Sequence, residues 1–301
     1  MLWRGVEIEP QWVVLSVLVI ALALGRGLEF VTDWMPFLLL FFAYEVMRGF
    51  AAKTGFAPHD IGLIEEWAFR GNLPTVALQQ HLYRASVISP WDWIALGLYF
   101  LHFVLPVVVG FVFWLGSREH YWRFVSALLL MSFLAFVTYL FFPSTPPWIQ
   151  LPHEVHKISN ETIAKWGISY YTSPIYQNLD PNRYAAFPSL HAAYPTLAVV
   201  FAWRRYPRLA IGLLVWAAAV WFSVVYLGEH YVVDVLCGFV FVAASVLIVQ
   251  AFKRRPARVA EEPGASGLPD ALHEEAGELV RVVVRGDPDV HDVPGDEVHS
   301  R

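Results

Sequence analysis

Two short polar islands interrupt the apolar second half of the sequence, and each contains residue types that take part in catalysis. The first, AAFPSLHAAYP, places Ser189 and His191 where a polar loop meets an apolar run. The second, YLGEHYVVDVLCG, places His230 and Asp234 four residues apart. On a helix this spacing puts both side chains on one face, so that the carboxylate can hold the imidazole. Two histidines and a carboxylate are therefore the candidate catalytic group.

Phosphoryl transfer with a covalent intermediate is the chemistry that suits these residue types. One neutral imidazole attacks phosphorus, a carboxylate fixes its tautomer, and a second, protonated histidine gives its proton to the leaving alkoxide. The negative charge on the phosphoryl oxygens needs cations and N–H donors. The helix that begins after Ser189 offers backbone N–H groups. The other candidate ligands of phosphate or substrate are Ser189, Arg183, Arg48, Lys53 and Tyr226.

Each of these features also has an ordinary structural explanation. A His-x-x-x-Asp pair is often a local contact near a lipid headgroup, and Pro188 and Ser189 are common residues at a helix start. An arginine at the end of a membrane span usually extends toward the headgroups. The combination is more informative than its parts, because both islands lie at the ends of apolar segments, where polar groups are costly.

Long apolar blocks are typical of membrane spans rather than of a water-soluble core. Hydrophobic residues make up 57% of the 301-residue chain, which is more than a soluble domain usually contains. The sequence predicts an all-α, polytopic membrane bundle with six core transmembrane helices and a short, retained N-terminal hydrophobic segment. The segments are expected near 12–25, 34–51, 92–115, 121–142, 189–203, 209–227 and 231–252.

Basic residues predict how these segments are oriented. They cluster after the third, fifth and seventh segments, and the positive-inside rule assigns all three clusters to the cytoplasm. The long loops 52–91 and 143–188 then face outside, together with His191 and the His230–Asp234 pair. Only four of the 21 basic residues are lysine, a bias that suggests a GC-rich bacterial genome. We therefore expect a protein of the bacterial plasma membrane with a cytoplasmic C-terminus.

The stretch LPTVALQQHLY, residues 73–83, predicts a short helix within the first outer loop. Pro74 suits a helix start, and Leu78 and Leu82 lie four residues apart on one face. We expect this segment to be an interfacial helix on the outer leaflet. A cap packed on the bundle is an alternative that is compatible with it.

Composition divides the chain into a membrane domain, residues 1–255, and a tail, residues 256–301. The tail has 11 acidic residues and four arginines, and its mixture of Gly, Pro, Asp and Glu is typical of disorder. Since the tail contributes −7 to a net charge of −5, the remainder is +2 and gives no support for nucleic-acid binding. With a single cysteine, Cys237, neither an internal disulfide nor a thiolate metal site is expected.

The two islands resemble motifs of the PAP2 superfamily of phosphatidic-acid-phosphatase-type enzymes, which carry K-x6-RP, PSGH and SR-x5-H-x3-D. Here the second motif reads PSLH, from Pro188 to His191. The third reads SVVYLGEHYVVD, in which Ser223, His230 and Asp234 fall at the family's spacing. The resemblance covers the second to the seventh predicted segments. It implies a membrane phosphatase or phosphotransferase that uses no metal or other cofactor.

The departures from these motifs indicate one branch of the family. No K-x6-RP is present, and the loop start reads FFPSTPPW, residues 141–148. Val224 replaces the arginine of the third motif, and Leu190 replaces the glycine of the second. Together with YEVMRG around Arg48, these features resemble the Aur1-like inositol phosphotransferase branch. Members of that branch move a phosphorylated headgroup from a donor lipid to an acceptor hydroxyl.

The resemblance also implies roles for individual residues. His230 corresponds to the nucleophile, His191 to the acid for the leaving group, and Asp234 to the residue that orients His230. Ser189 would help to hold phosphate. Arg183 and Arg48 are our candidates to replace the missing motif cations.

Three classes of function are compatible with the sequence, and the first is a membrane enzyme that transfers or hydrolyses lipid phosphates, with a phosphotransferase preferred. A lipid phosphate phosphatase, acting on phosphatidic acid or on a polyprenyl phosphate or pyrophosphate, would use water as the acceptor. A non-enzymatic lipid-binding or transport protein is a weaker alternative, because no pair of broken helices marks two related halves. A metalloenzyme is weaker still, since the outer-loop histidines lack ligand spacing. The expected partners are the phospholipid or polyprenyl-phosphate substrate and the lipid bilayer.

Overall fold

The computed structural model describes residues 10–51, 55–85, 87, 89–102, 104–165 and 182–254. Within these ranges the regular structure is helical. The helices are α1 (Pro10–Ala23), α2 (Gly27–Ala51), α3 (Gly62–Ala68), α4 (Pro74–Leu82), α5 (Pro90–Leu101), α6 (Leu105–Gly116), α7 (Arg118–Phe141), α8 (Pro147–Gln150), α9 (Ile158–Lys165), α10 (Leu190–Ala202), α11 (Pro207–Tyr226) and α12 (Val232–Arg254). Lys53 and the predicted tail 256–301 lie outside the described residues, so the division into two domains stays a prediction.

Four of the described helices are long and apolar enough to cross a membrane: α7, α11, most of α12 and the Gly27–Tyr44 part of α2. The bent pair α5 and α6 can form a fifth span, and α1 and α10 are shorter apolar helices. Large apolar side chains also point outward from these helices, among them Val215, Val240 and Leu247, each more than 60% exposed. Such a surface suits lipid and not water. The all-α membrane architecture predicted from the sequence is thus confirmed.

The predicted segment 92–115 is not one continuous helix. The axes of α5 and α6 diverge by 53° at the break between them. Pro106 is the second residue of α6, and its ring removes an N–H and collides with the carbonyl four residues earlier, that of His102. The helix therefore bends where His102 lies, and this histidine is turned into the bundle with 1% of its surface exposed.

Aromatic side chains fill the core that α2, α6 and α7 share. Trp34 stacks on Tyr121 at a ring-centroid distance of 5.2 Å, and Phe30 packs edge-on against Trp114 at 5.7 Å. All four side chains are almost completely buried. Burial of such rings contributes more than their area alone, because offset and edge-to-face pairs are favourable.

The turns at one end of the bundle are joined by basic residues. The Arg118 guanidinium pairs with the buried Asp33 carboxylate at 2.5 Å, and Arg26 lies over the Trp114 ring at 4.0 Å. From the α10–α11 turn, Arg205 donates to the Gly116 carbonyl at 3.3 Å. Two of the three basic clusters that the sequence placed on one face, those at Arg118 and Arg205, therefore meet.

Candidate active site

The two predicted catalytic histidines are in direct contact at the other end of the bundle. His191 lies in the first turn of α10, and His230 lies in the turn between α11 and α12. Nδ1 of His191 is 3.0 Å from Nε2 of His230. Nδ1 of His230 is 2.9 Å from the carbonyl oxygen of Ala186, which can only accept. His230 therefore carries its proton on Nδ1, and its Nε2 lone pair faces His191.

Asp234 lies beside this pair but does not make the shortest contact to His230. Its Oδ2 is 3.6 Å from Nδ1 of His230, which is longer than a hydrogen bond, and it accepts the N–H of Tyr231 at 2.7 Å. The side chain is fully buried. Asp234 thus caps the start of α12 and places negative charge next to the imidazole, while the Ala186 carbonyl fixes the ring.

The loop that precedes His191 is fixed by residues of the FFPSTPPW stretch and of α7. The Ser144 hydroxyl accepts the N–H of Phe187 at 2.8 Å, and the Ser144 N–H donates to the Tyr184 carbonyl at 2.8 Å. The Tyr139 hydroxyl donates to the Pro188 carbonyl at 2.7 Å. This stretch, which stands where the first family motif is missing, has a structural task here. It positions the backbone of the loop in which the Ala186 carbonyl accepts the hydrogen bond from Nδ1 of His230.

Ser189 joins the two islands through its backbone and begins α10 through its side chain. Its hydroxyl accepts the N–H of Ala192 at 3.3 Å, and its N–H donates to the Asp234 carbonyl at 3.0 Å. Ser189 is fully buried. The helices α10 and α12 are so close at this point that a Cβ on Gly238 would lie only 2.7 Å from the Ser189 carbonyl oxygen.

Helix α4 packs on the turn that carries His230. The Gln79 amide donates to the carbonyls of Tyr226 and His156, both at 2.9 Å, and its oxygen accepts the His156 N–H at 2.7 Å. Gln79 and Thr75 are the buried residues of this helix. The predicted helix 73–83 is therefore present and forms a cap on the bundle. Contact of α4 with lipid stays a prediction.

Of the other predicted ligands, Tyr226 and Arg183 have side chains that the structure describes. The Tyr226 side chain is fully buried, and its hydroxyl donates to Asp92 of α5 at 2.5 Å. Arg183 is exposed in the loop before α10. The side chain of Arg48, in the last turn of α2, and all of Lys53 lie outside the described residues.

Two aromatic residues of the predicted third segment surround His191 and were missed in the sequence. Tyr99 stacks on the His191 ring at 4.4 Å with a 17° tilt, and the His102 ring lies 3.9 Å away. The signal was a histidine in an apolar run, four residues before Pro106. Tyr99 and His102 thus fix the face of the imidazole that the resemblance assigned as the acid.

A buried cation lies between α8 and α9. The Lys157 ammonium is 4.2 Å from the Trp148 ring centroid and 3.9 Å from the Glu229 carboxylate, and both charged side chains are about 10% exposed. Glu229 also accepts the Ser159 hydroxyl at 2.6 Å. Lys157 had not been singled out in the sequence, where nothing relates it to the residue preceding His230. Within the described part of the chain, no three His, Cys, Asp or Glu side chains form a metal-binding group.

Known proteins resemble this chain over the part that contains the site. A family profile described as PAP2 superfamily matches residues 77–248. The phosphoinositol dihydroceramide synthase of Bacteroides thetaiotaomicron is 29% identical over 157 residues, which are 47% of this chain and 50% of that protein. The inositol phosphorylceramide synthase of Candida albicans and the AUR1 catalytic subunit of Saccharomyces cerevisiae are each 26% identical over 164 residues. These are 51% of this chain and 34% and 40% of the two fungal proteins.

The chain thus spans half or less of the length of these curated relatives. No solved structure gives a significant match.

Proposed function

The chain belongs to the PAP2 superfamily, whose profile covers more than half of it, and on this basis we propose that it is a membrane enzyme that acts on lipid phosphates. We propose further that it transfers a phosphorylated headgroup to a hydroxyl acceptor. The observation that carries the proposal is the 3.0 Å contact between Nδ1 of His191 and Nε2 of His230. It brings a nucleophile and a proton donor together at the end of apolar helices, where a lipid headgroup can reach both.

In the first half of the proposed reaction, Nε2 of His230 attacks the phosphorus of the donor lipid. A P–N bond forms, the P–O bond to the lipid alkoxide breaks, and the alkoxide takes a proton from His191. A separation of 3.0 Å leaves no space for a phosphoryl group, so the two rings must move apart when the donor binds. The Ala186 carbonyl keeps the proton of His230 on Nδ1 and so keeps Nε2 nucleophilic.

In the second half, His191 takes the proton of the acceptor hydroxyl, whose oxygen attacks the phosphorus. The P–N bond breaks, and His230 is regenerated as a neutral imidazole. Asp234 stabilises the positive charge that the His230 ring bears while phosphorylated. Tyr99 stacks on the His191 ring and His102 contacts it, and the same ring serves as acid in the first half and as base in the second.

The names of the relatives suggest which molecules to test first. Two of them are inositol phosphorylceramide synthases and one is a phosphoinositol dihydroceramide synthase. We propose phosphoinositol as the headgroup and a ceramide-type hydroxyl as the acceptor. Among lipid donors, an inositol phospholipid is therefore expected to react faster than a polyprenyl phosphate.

We propose that the membrane domain has six core spans: α2, the bent pair α5 and α6, α7, α10, α11 and α12. The basic turns at Arg118 and Arg205 then face the cytoplasm, and the histidine pair faces the outside. Helix α1 is the additional N-terminal segment. The tail 256–301 follows α12 on the cytoplasmic side.

Helix α3 is a second candidate for the predicted interfacial contact. Its outward residues Leu63, Ile64 and Trp67 are 63%, 50% and 83% exposed, whereas Gly62 and Glu65 are buried. A helix on the surface of a soluble protein buries its apolar residues and exposes its charged ones, and α3 does the opposite. We propose that α3 rests against the outer leaflet through these residues. Acceptor lipids would then enter beside it.

The test uses purified protein in liposomes with a panel of inositol phospholipids, phosphatidic acid and polyprenyl phosphates, in EDTA, beside His230→Ala. Free phosphate and new lipid products are measured with and without ceramide or polyol acceptors. A new phosphodiester that needs the acceptor and is lost in the variant supports the transferase. Free phosphate that is insensitive to acceptor would make the protein a phosphatase. If wild type and His230→Ala are both folded and neither turns over any substrate, the proposal that the protein is an enzyme is refuted.

A further inference from the structure

A buried carboxyl group from the first outer loop lies against the helix that carries Asp234. Glu65 of α3 is 0% exposed. Its Oε2 accepts the N–H of Val233, in the first turn of α12, at 3.0 Å. Its Oε1 has no hydrogen-bond partner among the described residues. Glu65 and Asp234 thus both accept backbone N–H groups at the start of α12. Glu65 reaches them from α3, whereas Asp234 belongs to α12 itself.

The packing around Glu65 leaves little freedom at this helix start. Asp234 accepts the Tyr231 N–H at 2.7 Å, and the Tyr231 hydroxyl lies 2.7 Å from where a Cβ on Gly62 would stand. At the base of α3, Asp60 accepts the Gly62 N–H at 2.8 Å. A displacement of α3 would therefore move the backbone of residues 231–234, and with it the carboxylate beside His230.

On these grounds we propose that Glu65 is a positioning residue for the proposed reaction, which fixes the first turn of α12 and so the place of Asp234 beside His230. The role requires an acceptor at the reach of a glutamate side chain. It does not require a second negative charge, because Asp234 already supplies one. The inference rests on the proposed function.

The electrostatics of the site agree with this role. Burial, and to a smaller extent the neighbouring charge of Asp234, raises the pKa of the Glu65 carboxyl to about 7, although hydrogen bonds from Val233 and Val232 lower it. The titratable groups around this helix start include His230, Asp60, Tyr231 and Asp234, with Glu66 on the same helix as Glu65. A neutral carboxyl still accepts a hydrogen bond through its carbonyl oxygen. A glutamine can therefore replace it.

Four variants separate the effect of the length of the Glu65 side chain from the effect of its charge. Glu65→Gln keeps the length and the acceptor, Glu65→Asp keeps the charge but is one methylene too short, and Glu65→Leu keeps neither. Glu66→Gln is the matched control, because Glu66 is the exposed neighbour on the same helix. We expect kcat within threefold of wild type for Glu65→Gln and for Glu66→Gln. We expect a fall of tenfold or more for Glu65→Asp and Glu65→Leu, with KM for the donor lipid changed less than threefold.

The measurement is headgroup transfer in liposomes, with His230→Ala alongside and with size-exclusion profiles to establish folding. If Glu65→Leu does not fold, the comparison of Glu65→Gln with Glu65→Asp decides. Equal rates for these two variants would overturn the inference, whether both match wild type or both are impaired. If wild type turns over and His230→Ala does not, that failure concerns Glu65 alone. Absence of His230-dependent turnover in wild type would overturn the proposed function and this inference together.

Discussion

At the scale of single residues, the candidate site consists of a histidine pair whose members differ in their surroundings. His230 is 4% exposed, and its Nδ1 is bonded to a backbone carbonyl, so that only Nε2 can react. His191 is more accessible, and it is held by ring stacking with Tyr99 and by contact with His102. A fixed tautomer suits a nucleophile, and a stacked but accessible ring suits a residue that exchanges protons.

The two histidines are therefore expected to respond differently to the leaving group. His191→Ala should lower kcat for a lipid donor by about 10²–10⁴, because the alkoxide then leaves without a proton. With an aryl phosphodiester as donor, the P–O bond to the aryl group breaks and the leaving group is a weakly basic phenoxide that needs no acid, so the same variant should retain most of its rate with this donor. Release of the aryl alcohol and of diacylglycerol can be followed in parallel.

His230→Ala is the control for this experiment, because loss of the nucleophile should abolish reaction with both donors. Equal losses for both donors in His191→Ala would contradict its assignment as the acid.

Glu65 leads to a prediction about stability and pH. The folded protein raises the pKa of this carboxyl from its ordinary 4.5 to about 7. The folded state therefore binds the proton more tightly than the unfolded state, and stability falls as the pH rises from 4.5 to 7. The loss is about 3 kcal/mol when complete. Glu65→Gln cannot ionise, so its Tm relative to wild type should increase between pH 5 and pH 7.5 and then stay constant.

Thermal unfolding in detergent at a series of pH values measures this difference. Glu66→Gln, at the exposed neighbour, is the control for removing a carboxyl group from the same helix. A flat difference for Glu65→Gln would show that Glu65 titrates normally.

At the scale of the elements, the site depends on how closely α10 and α12 approach. A Cβ on Gly238 of α12 would lie only 2.7 Å from the Ser189 carbonyl oxygen at the start of α10. The Ser189 N–H donates to the Asp234 carbonyl. Contact at this distance is possible only for glycine. The same approach brings the first turn of α10, with His191, next to the turn that carries His230. The break between α5 and α6 completes the site, because it turns His102 toward His191.

Gly238→Ala tests this approach. The added methyl group meets backbone, which cannot move away as a flexible side chain would, so α10 and α12 must separate. We expect a loss of about 1–3 kcal/mol in stability and a larger fall in transfer activity than in folded yield. Gly212→Ala in α11 is the matched control, because its Cβ would meet nothing within 4 Å. Equal effects of the two substitutions on Tm and activity would refute the close-contact explanation.

At the scale of the whole molecule, the bundle has two chemically distinct ends. Helix α10 begins beside the histidine pair and ends near Arg205, whose guanidinium reaches the turn between α6 and α7. Arg118 of that turn pairs with Asp33 of α2. Cationic turns at one end and the histidine pair at the other support the proposed orientation, in which the site faces one side of the membrane.

The orientation of the whole chain can be measured with cysteines. In a Cys237→Ala background, Ala85→Cys and Arg204→Cys each introduce one thiol at an exposed position. The first lies between α4 and α5, in a loop predicted to face outside, and the second lies in the α10–α11 turn. A membrane-impermeant maleimide applied to intact cells should label Ala85→Cys and not Arg204→Cys. After permeabilisation both should react. The opposite pattern would place the histidine pair in the cytoplasm.

The sequence by itself determined the membrane class, the helical segments and the candidate catalytic residues of this protein. Apolar blocks can only be buried in lipid or in each other, and the two motifs lie at their ends, so His191, His230 and Asp234 could be selected without coordinates. These are local properties, since they depend on composition and on spacing along one helix.

Only the tertiary structure decided which groups hold these residues and the turns beside them. The Ala186 carbonyl that fixes His230, the Glu65 carboxyl that caps α12 and the Gln79 amide that holds the preceding turn come from distant parts of the chain. A backbone carbonyl has no sequence signature, and a glutamate in a loop looks like any solvated charge until its burial is known. Tyr226 illustrates the same limit, because its position in the motif gave no indication that its hydroxyl donates to Asp92 of α5. Long-range packing sets such contacts, and no local pattern encodes it.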